Sequence, residues 1–233
     1  RLIRWDDGGG HMAPRKYFLS QLDKMYQDVL KMGALVEDAL KKSVTALASQ
    51  DFELADEVIR QDKKIDEAQV RIEDHCTELL ATQQPVASDL REILTTIRIV
   101  DDLERMGDHA RHLAKAVGDV TDETFQRILP SIEEMAERGI SMMHDALTAF
   151  VDQDADEAMA VAERDAAIDR MQKALYEELT GIVRENPDKA EKAMSLMFIV
   201  RFLERLGDHV RSICEWVVSA KSAEHVALKT SRG

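Results

Sequence analysis

The chain has little of what a β-sheet protein, a disulfide scaffold or a membrane protein requires. Aromatic residues make up 5% of the 233 residues, and there are only 10 glycines and 4 prolines. Residues that favour strands, and residues that turn the chain between short strands, are therefore scarce. The two cysteines, Cys76 and Cys214, lie far apart and outside any C-x-x-C motif, which favours buried thiols. No apolar run approaches the roughly 20 residues of a membrane span. These features fit a reducing cytosol, and we expect a cytoplasmic protein.

Positive charge is also in short supply. Lysine and arginine number 31 against 45 aspartates and glutamates, so the formal net charge is −14. Duplex DNA and an anionic membrane surface would repel such a chain. We therefore expect no direct binding to nucleic acid.

Motifs that mark common enzyme sites are missing from the sequence. It contains no H-E-x-x-H, no G-x-x-x-x-G-K phosphate loop, no G-x-G-x-x-G loop and no G-x-S-x-G. An enzyme is not expected on this evidence.

What the chain does contain is typical of long amphipathic helices, since 45% of its residues are hydrophobic and 33% are charged. We predict an all-α protein. Asp51 and Asp154 each occupy a position suited to a helix N-cap, and Pro130 within a helical pattern predicts a kink or a restart. The periodic segments predict six long antiparallel helices, over residues 17–49, 51–82, 86–118, 121–151, 154–185 and 188–220.

The two halves of the chain repeat each other. The segment Leu103–His109, LERMGDH, returns as Leu203–His209, LERLGDH, at an offset of 100 residues. A second match joins Gln50–Asp66 to Gln153–Asp169 at an offset of 103. We predict a tandem duplication of two three-helix bundles, over residues 17–118 and 119–220. Residues 1–16 are predicted to be a vector-derived leader and disordered start around Met12, and residues 221–233 a C-terminal tail.

Repeated carboxylates are the candidate chemistry of this chain. In the third and sixth predicted helices they lie on the face opposite an apolar seam. Carboxylates at i and i+4 on a helix are about 5–6 Å apart, close enough to bind one cation or two bridged cations. Oxygen-rich sites of this kind suit Mg, Ca, Mn or Fe. The candidate metal ligands are Asp62, Asp66, Asp101, Glu104 and Asp108 in the first half, and Asp165, Asp169, Glu204 and Asp208 in the second.

A solvated helix face with no ligand is the better explanation of any single acidic pair. The recurrence of both acidic pairs in both halves favours a site. Gly107 and Gly207 lie within the predicted helices beside the acids, and a glycine there costs about 1 kcal/mol relative to alanine. Such a glycine indicates a close approach by a helix or a ligand. Arg105 and Arg205 are interpreted as ion-pair partners of the acids. For His109 and His209 two roles remain open: an outer metal ligand and a merely packed side chain.

The doubled L-E-R-x-G-D signature, with a D-x-x-x-D pair on the middle helix of each repeat, resembles the PhoU family of phosphate-uptake regulators over about residues 17–218. The resemblance implies a cytoplasmic homodimer that acts as an adaptor between the phosphate ABC transporter ATPase and the phosphate-sensing histidine kinase. It would meet the membrane only through these partners. The resemblance also implies multinuclear metal clusters on the acids, with iron or zinc expected and Mn or Mg as alternatives. Arg201 stands where the first half has Asp101, so the second cluster is expected to be weaker.

Two other kinds of protein remain alternatives at this point. A di-metal carboxylate oxidase or metal-storage bundle also carries acids on helices, but its usual E-x-x-H motifs are missing from the chain. A metal-free helical scaffold is the other alternative.

Overall fold

The computed structural model describes residues 14–120 and 123–222, and these segments are helical apart from short connections. The predicted all-α class is confirmed, with no strand in the described segments. Two short 3-10 helices accompany the α-helices, at Ala116–Val120 and Pro187–Lys189. The α-helices are α1 (Pro14–Ser49), α2 (Phe52–Gln83), α3 (Ala87–Lys115), α4 (Glu123–Gln126), α5 (Leu129–Asp152), α6 (Ala155–Glu163), α7 (Asp165–Glu185) and α8 (Ala190–Ser222).

The duplicated helix junctions have the caps that the sequence predicts. Asp51 accepts a hydrogen bond from the Leu54 amide at 3.0 Å, and Asp154 accepts from the Glu157 amide at the same distance. Immediately before these caps, Gln50 and Gln153 have positive φ angles of 56° and 53°. The same turn therefore ends α1 in the first half and α5 in the second.

Two of the six predicted helices are divided. The fourth is split into α4 and α5, with Pro130 in the first turn of α5, where its missing N–H costs nothing. The fifth breaks at Arg164, which separates α6 from α7. The Arg164 amide bonds to the Val161 carbonyl at 3.1 Å, and the Ala167 amide bonds to the Arg164 carbonyl at 3.0 Å. These i to i+3 bonds tighten the turn without any proline or glycine that could have marked it in the sequence.

The disordered start predicted to run to residue 16 is wrong for residues 14–16. Helix α1 begins at Pro14, and Arg15 binds the buried Asp89 at 2.6 Å, so residues 14–16 belong to the fold. Residues 1–13 of the predicted leader lie outside the described residues. At the other end α8 runs to Ser222, so residues 221 and 222 are helical, and the rest of the predicted tail is outside the description.

The halves pack against each other through one core. Helices α1, α2 and α3 pack together, as do α5, α6, α7 and α8, while α3 also packs on α8 and α1 on α5. Helices α3 and α8 are antiparallel, since Arg91 bonds to Ala220 while His109 stacks on Phe202.

The core also covers apolar residues of α3 next to its contact with α8. Val100 is fully buried, and Ile97 is partly buried against the core. Cys76 and Cys214 are buried free thiols, as predicted. Among the described helices, none combines the length and the apolar character needed to cross a membrane.

Candidate metal centres

The first acidic patch lies where α2 and α3 run side by side in opposite directions. Gly107 makes the close packing possible, because a Cβ atom there would stand 2.9 Å from Cδ1 of Ile65. The glycine thus serves a helix approach, one of the two roles that its position suggested. The approach places Asp62 and Asp66 of α2 beside Glu104 and Asp108 of α3.

An arginine lies between the carboxylates of this patch. Arg111 places Nε 2.6 Å from Asp62 Oδ2, and its Nη2 donates to Asp108 Oδ1. Asp101 lies nearer the start of α3 than Glu104, and it accepts a hydrogen bond from Gln69 Nε2 at 3.1 Å. Arg105 comes within 3.6 Å of Glu104 but is largely exposed, as expected of a surface ion-pair partner.

Burial and mutual repulsion make the first patch a poor place for uncompensated negative charge. Burial raises the pKa of Glu104, and Asp108, Asp66 and Asp101 raise it further. Burial also raises the pKa of Asp62, where the charge of Arg111 opposes the repulsion from Asp66 and Asp108. A bound cation would favour the ionised form of all these acids.

The second patch repeats this arrangement on α7 and α8 with deeper burial. Asp165 lies against Gly207, where the carboxylate would overlap any added Cβ atom. Arg211 contacts Asp165 Oδ2 at 3.1 Å and Asp208 Oδ1 at 3.0 Å, and it approaches Glu215 at 3.7 Å. Burial, followed by Asp169, Asp208 and Glu204, raises the pKa of Asp165 to about 6.

One oxygen of Asp165 is left without a hydrogen bond. Asp165 Oδ1 is buried and finds no partner within the described residues. An orphaned acceptor at such a position costs free energy unless a proton or a cation satisfies it. This atom is therefore the acceptor in the second half that a proton or a cation would satisfy.

The replacement of Asp101 by Arg201 in the second half results in a direct ion pair with Glu204. Arg201, which replaces the acid at Asp101, places Nη1 2.7 Å from Glu204 Oε2. Burial and Asp208 raise the pKa of Glu204, while Arg201 lowers it. Glu204 is thus paired directly with Arg201, whereas Glu104 has only the longer contact with Arg105.

The donor type and charge of the patches fit a hard divalent or trivalent cation, but the arginines already occupy the space between several of the acids. In residues 14–120 and 123–222, no three His, Cys, Asp or Glu side chains are arranged to hold one metal ion. Binding therefore requires Arg111 or Arg211 to withdraw to the edge of its patch. The metal ligands predicted from the sequence remain predictions.

Sequence reasoning missed the role of these two arginines, although a signal was present. The identity between the repeats continues beyond the LERxGDH segment to Arg111 and Arg211, each three residues after the signature aspartate. An arginine at i+3 from an aspartate on a helix is within reach of its carboxylate.

The signature histidines point away from the patches, into the packing between α3 and α8. His109 is buried and stacks on Phe202 with ring centroids 5.4 Å apart, and neither of its nitrogens has a hydrogen-bond partner in the described residues. Burial, then His209 and His112, lowers its pKa to about 3. His209 instead places Nδ1 2.8 Å from Asp102 Oδ1.

The architecture defines a class: a duplicated helical-bundle protein with one acidic patch in each half and the two signature helices packed together. The family model for the PhoU domain matches this chain twice, over residues 29–117 and 132–217. The chain belongs to the PhoU family.

Relatives in this family match nearly end to end. The chain is 37% identical to the phosphate-specific transport system accessory protein PhoU homolog of Clostridium acetobutylicum, over 92% of this chain and 98% of that protein. It is 31% identical to the phosphate-specific transport system accessory protein PhoU of Escherichia coli K12, over 90% and 88% respectively.

Solved structures agree with the fold. The crystal structure of PhoU from Pseudomonas aeruginosa matches with a TM-score of 0.83 and 34% identity, covering 89% of this chain and all of that one. The phosphate transport system regulatory protein PhoU from Streptococcus pneumoniae gives a TM-score of 0.83 at 33% identity, over 91% of this chain and all of that one.

Proposed function

We propose that this protein is a cytoplasmic negative regulator of phosphate uptake and of the phosphate-starvation response. In this proposal it is a non-enzymatic adaptor between the phosphate ABC transporter ATPase and the phosphate-sensing histidine kinase. The observation that supports it best is the near end-to-end similarity to relatives named as phosphate-specific transport accessory proteins. A strongly acidic surface favours contact with proteins over contact with DNA.

Deletion of the gene tests the regulatory role. In phosphate-rich medium, a deletion strain should express phosphate-starvation genes and accumulate excess phosphate, and the intact gene should restore both. Affinity capture from the parent strain should recover the ATPase or the kinase. Normal repression and uptake in the deletion strain, with neither partner captured, would refute the proposal.

We further propose that both acidic patches bind metal, with iron or zinc expected. The orphaned oxygen of Asp165 and the raised pKa values of Glu104 and Glu204 support this. Replacing Glu104 and Asp108 together with alanine should remove the metal of the first patch, because two donors are lost. The paired replacement of Glu204 and Asp208 should remove less, because Arg201 already neutralises part of that patch.

Elemental analysis of the purified proteins measures both effects, with circular dichroism as a check on helicity. The matched control replaces Glu133 and Glu137 with alanine, an acidic i, i+4 pair on α5 that borders α1 and belongs to neither acidic patch. Metal content equal to the parent in the Glu104 and Asp108 variant would contradict the assignment. A parent protein without stoichiometric metal would favour the metal-free scaffold.

A homodimer completes the proposal. Met194 and Phe198 occupy successive turns of α8, and each leaves 57% of its surface exposed within the chain. Exposed apolar side chains in adjacent turns are typical of an interaction surface. Sedimentation should show a dimer above micromolar concentration with metal present, and Phe198→Lys should shift it toward monomer, whereas a parent that stays monomeric would contradict the dimer.

A further inference from the structure

A second polar site lies far from the acidic patches, where the ends of several helices meet. A cavity of about 160 Å³ opens between α1, the first turns of α3, the end of α5 and the end of α8. At about 30 Å³ for each molecule of liquid water, it has room for roughly five waters or one small ion with part of its hydration shell. The side chains that matter here are Tyr26, Arg91, Glu92, Thr95, Gln153 and Lys221.

One side of the cavity is a chain of satisfied hydrogen bonds. Gln153 Nε2 donates to the Tyr26 hydroxyl at 3.1 Å, and the hydroxyl in turn donates to Glu92 Oε2 at 3.0 Å. This chain fixes the turn after α5 against α1 and α3. Because Glu92 accepts this hydrogen bond from Tyr26, its carboxylate is held to one side of the cavity.

The other side carries two cations that lack a carboxylate partner. Arg91 donates through Nε to the Ala220 carbonyl at 3.2 Å, which leaves four guanidinium N–H groups for other acceptors. Lys221 Nζ reaches only the Gln153 carbonyl, at 3.5 Å. Within residues 14–120 and 123–222, neither cation forms an ion pair.

A buried hydroxyl adds a neutral donor. Thr95 is 7% exposed, lines the cavity and has no side-chain hydrogen bond to the residues described. Two cations and a free hydroxyl around a small cavity are the donors that a compact oxyanion requires.

The duplication supplies an internal comparison. At the corresponding place in the other half, Glu191 stands for Arg91, Lys192 for Glu92 and Leu129 for Tyr26. Gln50 corresponds to Gln153 and has the same positive φ, but its amide donates to the Val120 carbonyl at 3.4 Å. The turn is therefore shared by both halves, whereas the donor set belongs to one. A role in packing alone would not require that difference.

We propose that this cavity binds a small tetrahedral oxyanion, phosphate or sulfate, through Arg91, Lys221 and the hydroxyl of Thr95. The site joins α3 of the first half to the end of α8 in the second, so a bound anion would tie the two halves together. The choice of phosphate rather than sulfate as the ligand rests on the proposed function. The argument for an oxyanion site does not depend on that function.

Calorimetric titration of the full chain tests the proposal, with inorganic phosphate and with sulfate in separate arms at constant ionic strength. Saturable binding is expected. Arg91→Gln should weaken it about tenfold, the loss of one charge-assisted contact, and Lys221→Gln should weaken it several-fold. Glu92→Gln should strengthen it several-fold, because a repelling charge is lost while the acceptor for Tyr26 remains. Lys192→Gln, the matched charge removal in the other half, should leave it unchanged.

The outcomes separate cleanly. Equal binding of both anions supports a general oxyanion site, and binding of phosphate alone supports a selective one. No saturable binding of either anion at millimolar concentration overturns the proposal, as does parent-like affinity in both the Arg91 and Lys221 variants. If the Arg91→Gln protein fails to fold because its contact with Ala220 is lost, the Lys221→Gln and Glu92→Gln proteins still test the proposal. Anion binding is measured on the purified protein, so its failure is distinct from failure of the deletion phenotype.

Discussion

The two acidic patches carry the same signature in different surroundings. In the first half Asp62 lies inside the unbroken helix α2, and its side chain is 15% exposed. In the second half the helix breaks at Arg164, and Asp165, the first residue of α7, is only 3% exposed. Gly207 lies against both the Asp165 carboxylate and Ile168, whereas the glycine of the first half lies against Ile65 alone. Equal motifs therefore leave one aspartate partly exposed and bury its counterpart.

The difference shows that local backbone geometry sets the electrostatics of a duplicated site. Arg164 is held at the break by Asp145 at 2.5 Å and by Ser141 at 2.9 Å, both on α5. Tertiary contacts to another helix therefore fix how deeply Asp165 is buried. Burial is in turn the main reason that its pKa rises to about 6.

The largest expected effect is on stability, from Asp165→Asn in metal-free protein. The pKa of Asp165 rises from 3.8 to about 6 on folding, so its ionised form disfavours the native state. That difference corresponds to roughly 3 kcal/mol. The penalty is absent below pH 3.8, grows as the pH rises toward 6 and is complete above it. At pH 7 the variant should be more stable by up to about 3 kcal/mol, and the gain should vanish below about pH 4.

Urea unfolding at several pH values measures this effect. Asp62→Asn is the matched control and should give a smaller gain, because Asp62 is less buried and Arg111 lies against it. Equal gains from the two variants would remove the distinction between the patches. A stability difference that does not change with pH would show that the charge of Asp165 is not its cause.

The signature histidines extend the comparison to the contact between the halves. His109→Leu should stabilise the protein by about 1 to 2 kcal/mol, because it removes two buried nitrogens that lack partners. His209→Leu should destabilise it by about 1 kcal/mol, because Asp102 loses its partner. Thermal unfolding at pH 7.5 measures both changes. A loss of stability in the His109 variant would mean that its nitrogens have a partner in solution.

The smallest expected effect is on metal affinity and concerns the difference between the patches that Arg201 causes. Arg201→Gln should raise the metal affinity of the second patch about two- to fivefold, because Glu204 is released from its ion pair. The arginine is 45% exposed, so water already weakens the pair and the gain is limited. Competition with a chelator measures the affinity. Arg138→Gln removes a charge on α5 outside both patches and serves as the control, and an equal gain there would point to net charge alone.

The sequence was sufficient for features governed by local chemistry and repetition. The caps at Asp51 and Asp154 and the helical class could be predicted because each depends on nearby residues. The two glycines could be predicted because a glycine within a helix costs stability, which indicates a close approach. The break at Arg164 could not, because contacts with α5 hold it in place. The isolation of His109 was also hidden, since only the packing of α3 on α8 removes water from its ring.

The packing of α3 on α8 has a consequence for how the molecule came to be asymmetric. His209 meets Asp102, and the equivalent residues of the opposite repeat, His109 and Phe202, meet in the reciprocal contact. Reciprocal contacts of this kind define an isologous interface, in which one surface serves both partners. In a dimer of identical single-repeat chains, one residue would have to fill both the Asp102 and the Phe202 positions. Covalent fusion removed that constraint, so one copy of the contact became a charged pair and the other a stack of rings.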